Sequence, residues 1–247
     1  MAESYDQFAP HFDAWQRAFG GAYDDLILPR LLAALGRHPR PVRRVADLGI
    51  GTGDLVVALA RAGYDVVGVD RSDPMLAVAA EKIAAAGLTP PPVLLRQDLR
   101  ALRLDPAVDA AICVYTVMNQ LTDDADLARA LDAVHDALAP GGLFLFELNL
   151  PEAYDRHWSG VETMTLPGTV VRREHRRTGA LVEALVTIER ADGATVRDHI
   201  AQRPYDDATM AAALAVAGYD VAGVERFNPF EPAAAPLKAL WAVRRSG

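Results

Sequence analysis

At 247 residues and 51% hydrophobic, the chain is long enough to bury one full core, with or without a subdomain. A formal net charge of −8, on a charged fraction of 23%, argues against a nucleic-acid partner and against an anionic membrane surface, both of which recruit a basic excess. The single cysteine, Cys113, excludes an internal disulfide and a cysteine-based zinc centre, and no metal is predicted. The segment Met1 to Asp6 has no basic start leading into an apolar run. No apolar stretch approaches the ~20 residues that cross a bilayer. These features predict a cytoplasmic protein without a membrane partner.

Residues 5 to 36 read as helical, with a break near Phe19-Gly20-Gly21 and an early aromatic cluster of Tyr5, Phe8, Phe12, Trp15, Phe19 and Tyr23. Val42 to Leu48 is an apolar run of the buried-strand type, closed by a turn carrying Gly49, Gly51 and Gly53. A helix is expected from about Thr52 to Gly63. Tyr64 to Asp70 is a second strand. Ser72-Asp73-Pro74 starts a helix that stops at Gly87, since Ser caps and Pro suits a first turn. Val93 to Arg96 and Asp109 to Tyr115 are strands three and four. Thr122 is expected to cap a helix whose apolar stripe is Leu127, Leu131, Val134 and Leu138, with Pro140-Gly141-Gly142 ending it before a fifth strand at Leu143 to Leu148.

Strands alternating with helices of this length predict a Rossmann-like, doubly wound α/β fold with a mostly parallel sheet. After Leu150 the rhythm changes. Val170 to Arg176, Leu181 to Arg190 and Ala194 to Arg203 predict three antiparallel strands joined at Thr178-Gly179 and Asp192-Gly193. A helix near 206–217 and strands at 219–227 and 237–244 complete the pattern. The expected organisation is a helical N-terminal extension serving as a lid (1–40), a core (41–150), a small antiparallel β insertion serving as a cap (151–204), and the last helix and strands of the core sheet (205–247).

Ligands of open α/β sheets bind beyond the carboxyl ends of the strands. Asp47, Asp70 and Asp98 lie at or just past the ends of the first three predicted strands and fall there. Three glycines in the first turn allow close backbone approach to a ligand. A dinucleotide fingerprint requires G-x-G-x-x-G. Here the third glycine comes one residue early, at Gly53, and Asp54 fills the fingerprint position. A pyrophosphate is also disfavoured by a carboxylate entering the loop at Asp47, whereas a zwitterionic sulfonium ligand is not. The plainer readings are a simple strand–helix turn for the glycines, a helix-capping carboxylate for Asp70 and an exposed loop acid for Asp98.

The run Val45-Ala46-Asp47-Leu48-Gly49-Ile50-Gly51-Thr52-Gly53 resembles the cofactor motif of class I S-adenosylmethionine (SAM)-dependent methyltransferases. Val66 to Asp70, with Ser72 and Met75, resembles that family's second motif, and Leu138-Ala139-Pro140-Gly141-Gly142-Leu143 its late turn. The resemblance covers about 40–150 well. With Tyr5-Asp6-Gln7-Phe8-Ala9 and the inserted strands, it extends toward bacterial small-molecule N- and O-methyltransferases.

The resemblance implies SAM as cofactor and methyl transfer to N or O of a small-molecule acceptor by direct displacement. It places Gly49, Gly51 and Gly53 at the methionine moiety, Asp70 at the ribose, Met75, Asp98 and Leu99 at the adenine, and Val114 and Tyr115 beside the methyl donor, with Asp47 and Arg71 also in the cofactor site. Tyr5, Trp15, Tyr23 and Asn119 are the substrate or lid positions. A general base is needed only for a protonated nucleophile. His157, beside Trp158, is the candidate, and no other catalytic residue is assigned.

Val114-Tyr115-Thr116-Val117 lacks the Pro-Pro motif of DNA amino-methyltransferases, and Ile112 before Cys113 lacks the proline of RNA cytosine enzymes. The alternatives are a tRNA or protein methyltransferase, signalled by a basic face of Arg43, Arg44, Arg96, Arg100 and Arg103, or a SAM-binding protein without transfer activity. An NAD-dependent oxidoreductase is disfavoured by the glycine spacing. The alternation at Val182, Ala184, Val186 and Ile188 fits either a pocket cap or edge-to-edge pairing of a homodimer.

Overall fold

The computed structural model describes residues 5–20 and 23–246. It opens with α1 (Ala9–Gly20) and α2 (Tyr23–Gly36). The break expected near Phe19-Gly20-Gly21 runs into residues 21 and 22, outside the described residues, as do residues 1–4 of the N-terminal segment. Then come β1 (Arg44–Leu48), α3 (Asp54–Arg61), β2 (Asp65–Asp70), α4 (Asp73–Ala86), β3 (Val93–Arg96), β4 (Val108–Cys113), α5 (Asp124–Ala137) and β5 (Leu138–Asn149). A short α6 (Pro151–His157) leads to β6 (Val161–Leu166), β7 (Thr169–Thr178), β8 (Leu181–Arg190) and β9 (Thr195–Gln202). Finally, α7 (Asp207–Val216), β10 (Tyr219–Phe227) and β11 (Lys238–Arg245) complete the chain.

The main sheet has the order β3-β2-β1-β4-β5-β11-β10. Its first five strands are parallel, and β11 runs antiparallel to both β5 and β10. Strand order reverses between β1 and β4, which opens a crevice at their carboxyl ends. The strands β6-β7-β8-β9 form a separate antiparallel sheet.

The main sheet buries both faces. Leu127, Leu131 and Val134 of α5 pack with α7 residues Met210 and Leu214 on one side, while Ile27, Leu31, Leu55 and Leu59 pack on the other. Two-sided burial explains why apolar residues fill both faces of β1, β4 and β5, interrupted at Asp47, Asp109 and Glu147. Tyr154 and Tyr205 are fully buried, their hydroxyls bonded to Gln202 and the Leu121 carbonyl. No helix among the described residues is long and apolar enough to cross a membrane.

Several boundaries depart from expectation for physical reasons. Gly53 has φ +82°, so it caps α3 from outside and the helix starts at Asp54, not Thr52. The α5 cap is Asp123, whose carboxylate accepts the Asp126 N–H at 2.8 Å, rather than Thr122. Leu138 and Pro140-Gly141-Gly142 belong to β5, whose register against β4 shifts between Val108 and Ala110. The insertion has four strands: β6, with three polar residues among its six and only Leu166 buried, lacks the apolar alternation that marks the others.

The apolar stripe of β8 is covered within the chain. Ala184, Val186 and Ile188 pack with Phe8, and Tyr5, Phe12 and Trp15 add to the same cluster. The alternation that suggested subunit pairing is thus used to seat α1.

Candidate active site

The loop after β1 is shaped by glycines for two separate reasons. Gly49, Gly51 and Gly53 all have φ between +52° and +82°, a region costly for residues with a Cβ. Space is the second reason. A Cβ on Gly49 would meet Val117 Cγ2 at 2.6 Å, and one on Gly53 would meet Ala79 Cβ at 2.7 Å. Gly49 therefore lets the β4 exit loop close over the site, and Gly53 lets α4 pack on α3. Replacing Gly53 with Ala adds about 1–2 kcal/mol of backbone strain and about 1–3 kcal/mol of overpacking. The expected outcome is a lower urea midpoint, and an unchanged midpoint contradicts this account.

Asp70 ends β2 and is the organiser of the crevice. Its Oδ2 accepts the Gly51 N–H at 2.8 Å and its Oδ1 accepts the Ser72 N–H at 2.9 Å. Burial raises its pKa, a trend the backbone N–H donors from Ser72 and Gly51 oppose. A carboxylate offers about four lone-pair sites, so each oxygen can take a further donor from the cavity.

Asp98 is more committed. Its Oδ1 accepts both N–H and Nε–H of Arg100 at 2.9 Å, Nη2 of the same arginine reaches Oδ2, and Nη1 reaches Asp126 at 2.7 Å. The Arg100 guanidinium holds the Asp98 carboxyl below its usual range. Only one lone pair of the carboxylate is left for a ligand.

Past β4 the backbone is strained: Tyr115 and Thr116 have φ of 59° and 62°. Non-glycine residues in this region are uncommon and cluster at functional sites. The Tyr23 ring packs on Tyr115 with centroids 4.8 Å apart. Its hydroxyl donates to Glu147 of β5, and Lys238 at the start of β11 pairs with the same carboxylate. Glu147 is fully buried, and burial with this carboxylate pushes the Tyr23 phenol well above its ordinary pKa.

Helix α1 forms the roof. Thr52 donates to Asp13 at 2.5 Å, Lys82 pairs with Asp13 at 2.6 Å, and the Ser72 hydroxyl donates to Asp6 at 2.6 Å. The insertion supplies the far wall, with Arg173, Val186, Asp198, Ile200 and Gln202 facing inward. Between them lies a cavity of about 320 Å³.

Of the expected cofactor residues, Gly49, Gly51, Asp70, Arg71 and Met75 line this cavity, as do Asp98, Leu99 and Tyr115. Tyr5, Trp15, Tyr23 and His157 line it too, His157 with its ring against Phe230 at 5.4 Å. Asp47, Gly53 and Val114 lie behind the lining: Asp47 and Val114 are buried and Gly53 contacts α4. Asn119 is corrected to a structural role. Its amide accepts the Asn149 N–H at 2.9 Å and donates to the Arg203 carbonyl at 3.0 Å. Sequence reasoning missed Glu147, Lys238, Arg173 and Asp198. The basic face does not form as imagined, because Arg44, Arg96 and Arg100 each meet an aspartate.

Residues 45–142 match a family model described as a methyltransferase domain. Among curated relatives, a putative methyltransferase, YqeM, of Bacillus subtilis is 32% identical over 107 residues, spanning 43% of this chain and 42% of the relative. A demethylmenaquinone methyltransferase of Thermus thermophilus is 36% identical over 142 residues, spanning 56% of this chain and 60% of the relative. The chain thus spans about half the length of these relatives.

The fold likeness is broader. A SAM-dependent methyltransferase structure from Clostridium acetobutylicum superposes with a TM-score of 0.80 at 21% identity, covering 98% of this chain and 99% of that one. The sugar N-methyltransferase KedS8 from a Streptoalloteichus species superposes with a TM-score of 0.73 at 23% identity, covering 100% and 94%. The chain has the fold of these methyltransferases, and its residues 45–142 match the methyltransferase-domain model.

Proposed function

We propose that the chain is a SAM-dependent methyltransferase acting on N or O of a small-molecule acceptor. The observation that carries this reading is Asp70. It stands at the carboxyl end of β2 beside a loop with glycine at 49, 51 and 53, and its two oxygens accept the Gly51 and Ser72 N–H groups. That leaves a fork for a vicinal diol such as a ribose. The residues fit the rest of the cofactor. Gly49 and Gly51 admit the methionine portion, while Met75 and Leu99 offer apolar surface to the adenine. The remaining lone pair of Asp98 suits one N–H of the adenine edge.

When bound, the cofactor supplies an electrophilic methyl group on a sulfonium. The protein's own contribution is alignment and exclusion of water, which converts a bimolecular encounter into a fixed geometry. Tyr115 and Thr116 border the donor end. Helix α1, in residues 1–40, acts as the lid, and the inserted sheet of 151–204 acts as the cap. His157 stands in the cavity wall within reach of the acceptor volume, as a base for nucleophiles that arrive protonated. The likeness to the sugar N-methyltransferase KedS8 supports a small-molecule acceptor. A binding protein without transfer activity is less well supported, because the cavity continues beyond the donor residues to the inserted sheet.

Calorimetric titration with SAM, S-adenosylhomocysteine and NADH tests the reading. Binding of the first two and not the third is expected. Binding of NADH alone, or of none, refutes it.

A further inference from the structure

The inserted sheet carries a cross-strand row whose last three members line the cavity. Glu162 of β6 stands opposite Arg173 of β7, Arg173 opposite Val186 of β8, and Val186 opposite Asp198 of β9. Residues directly paired in an antiparallel ladder share a face, so the row reads acid, base, apolar, acid. The charges in it are matched unequally. Arg173 approaches Glu162 at 3.6 Å and lies between the rings of Trp15 and Trp158, at 5.3 and 5.2 Å. Lys238, across the cavity, is matched by Glu147.

Asp198 has no such partner among the described residues. Its Oδ2 accepts the Tyr5 N–H at 2.6 Å and its Oδ1 accepts the His199 N–H at 2.7 Å. No lysine, arginine or histidine of the described residues forms an ion pair with it. Arg173 is two strands away, about 10 Å at the backbone, with Val186 between them. Arg71 and Arg173 line the same cavity, yet neither forms an ion pair with this carboxylate, which is held by two backbone donors and faces a largely aromatic and aliphatic chamber. A cavity of this kind favours a ligand that brings the missing cation.

We infer that Asp198 is the acceptor-specificity residue and that the acceptor nitrogen is an amine, held through its N–H bonds by this carboxylate. The inference rests on the methyltransferase reading above and narrows it from N or O to N. The chemistry balances. The bound ammonium releases one proton to solvent, and the freed nitrogen lone pair forms the N–C bond. The C–S bonding pair passes to sulfur, leaving a neutral thioether. The methylated product is again an ammonium, still matched to Asp198. An alcohol or phenol donates one hydrogen bond to the carboxylate but brings no positive charge, so the carboxylate stays uncompensated.

The test uses the full chain saturated with S-adenosylhomocysteine, and a pair of probes of the same shape, cyclohexylammonium and cyclohexanol, at neutral pH. Ligand-observed NMR reads their affinities in the wild type and in Asp198→Asn. The asparagine is isosteric and can still accept the Tyr5 N–H. Both probes can donate to the carboxylate, but only the ammonium adds ion–ion attraction, which implies about tenfold or greater preference for it. That preference is expected to vanish in Asp198→Asn, with affinity for S-adenosylhomocysteine unchanged. Equal affinity for both probes, binding of neither, or a preference that survives the substitution overturns the inference. Failure of S-adenosylhomocysteine to bind the wild type refutes the cofactor reading instead, and the probe comparison on the free protein still decides the role of Asp198.

Discussion

Asp70→Ala is expected to weaken SAM binding by at least about a hundredfold. A ribose diol on this carboxylate makes two charge-assisted hydrogen bonds, each worth about 1.5–3 kcal/mol. The substitution also strips the Gly51 and Ser72 N–H groups of their acceptor, so the loop after β1 loses the clamp that holds it to β2. Calorimetry on the mutant measures the loss directly, and an affinity within threefold of wild type would remove Asp70 from the cofactor site.

The same group sets a pH trend. Its pKa is raised by burial, so the carboxylate takes a proton at higher pH than an ordinary aspartate. A protonated oxygen no longer accepts from the ribose, and SAM affinity falls as pH drops through that value. The free protein responds in the opposite sense. A folded-state pKa above the unfolded one contributes stability at low pH that is lost as pH rises through the folded value. Through Asp70, acidification therefore weakens cofactor binding while favouring the unliganded fold. Melting curves with and without S-adenosylhomocysteine across the acid range should converge in the wild type, and Asp70→Asn should remove the convergence.

Lys238→Met carries the second large effect. It leaves Glu147, fully buried on β5, with the Tyr23 hydroxyl and no cation. Breaking one side of a buried pair costs about 3–5 kcal/mol, whereas replacing both sides with apolar groups is often close to neutral. Urea denaturation should show the full loss in Lys238→Met and recovery of most of it in the double variant Lys238→Met with Glu147→Leu. A single variant as stable as wild type would mean the pair is not buried as described.

The parallel core was legible because its strands obey a local rule. Val42 to Leu48, Tyr64 to Asp70 and Val93 to Arg96 are apolar runs that stop at glycine or at polar residues, and the stop marks the carboxyl end where ligands bind. The departures come from contacts distant in sequence. Glu147 was hidden inside Leu143 to Leu148, a run read as a strand and nothing more. A lone carboxylate there implied a buried counter-ion, but with arginines throughout the chain as well as Lys82 and Lys238, nothing local said which cation would supply it. Both lysines turn out to tie N-terminal elements down, Lys82 through Asp13 of α1 and Lys238 through the carboxylate that also holds Tyr23 of α2.

Asp98 was read as free for adenine, although Arg100, two residues on, was the visible reason it would be occupied. Asp198 gave no signal, since it looks like any polar residue on an alternating strand until the register places Val186, and no arginine, beside it.

The excursion that builds the far wall leaves the core at Asn149 and returns at Arg203, and the Asn119 amide bonds both points, with the Asn119 carbonyl also accepting the Arg203 N–H at 2.7 Å. The two stems of a long loop are thus stitched together by one side chain rooted in neither. Loop-closure entropy grows only slowly with length, so once the stems are joined, what hangs between them can change in size and sequence at little cost to the core. Residues 150–202 are in this sense a cassette. The parent scaffold can keep its cofactor chemistry while the cassette is exchanged for another, and Asn119 is the residue any graft has to retain.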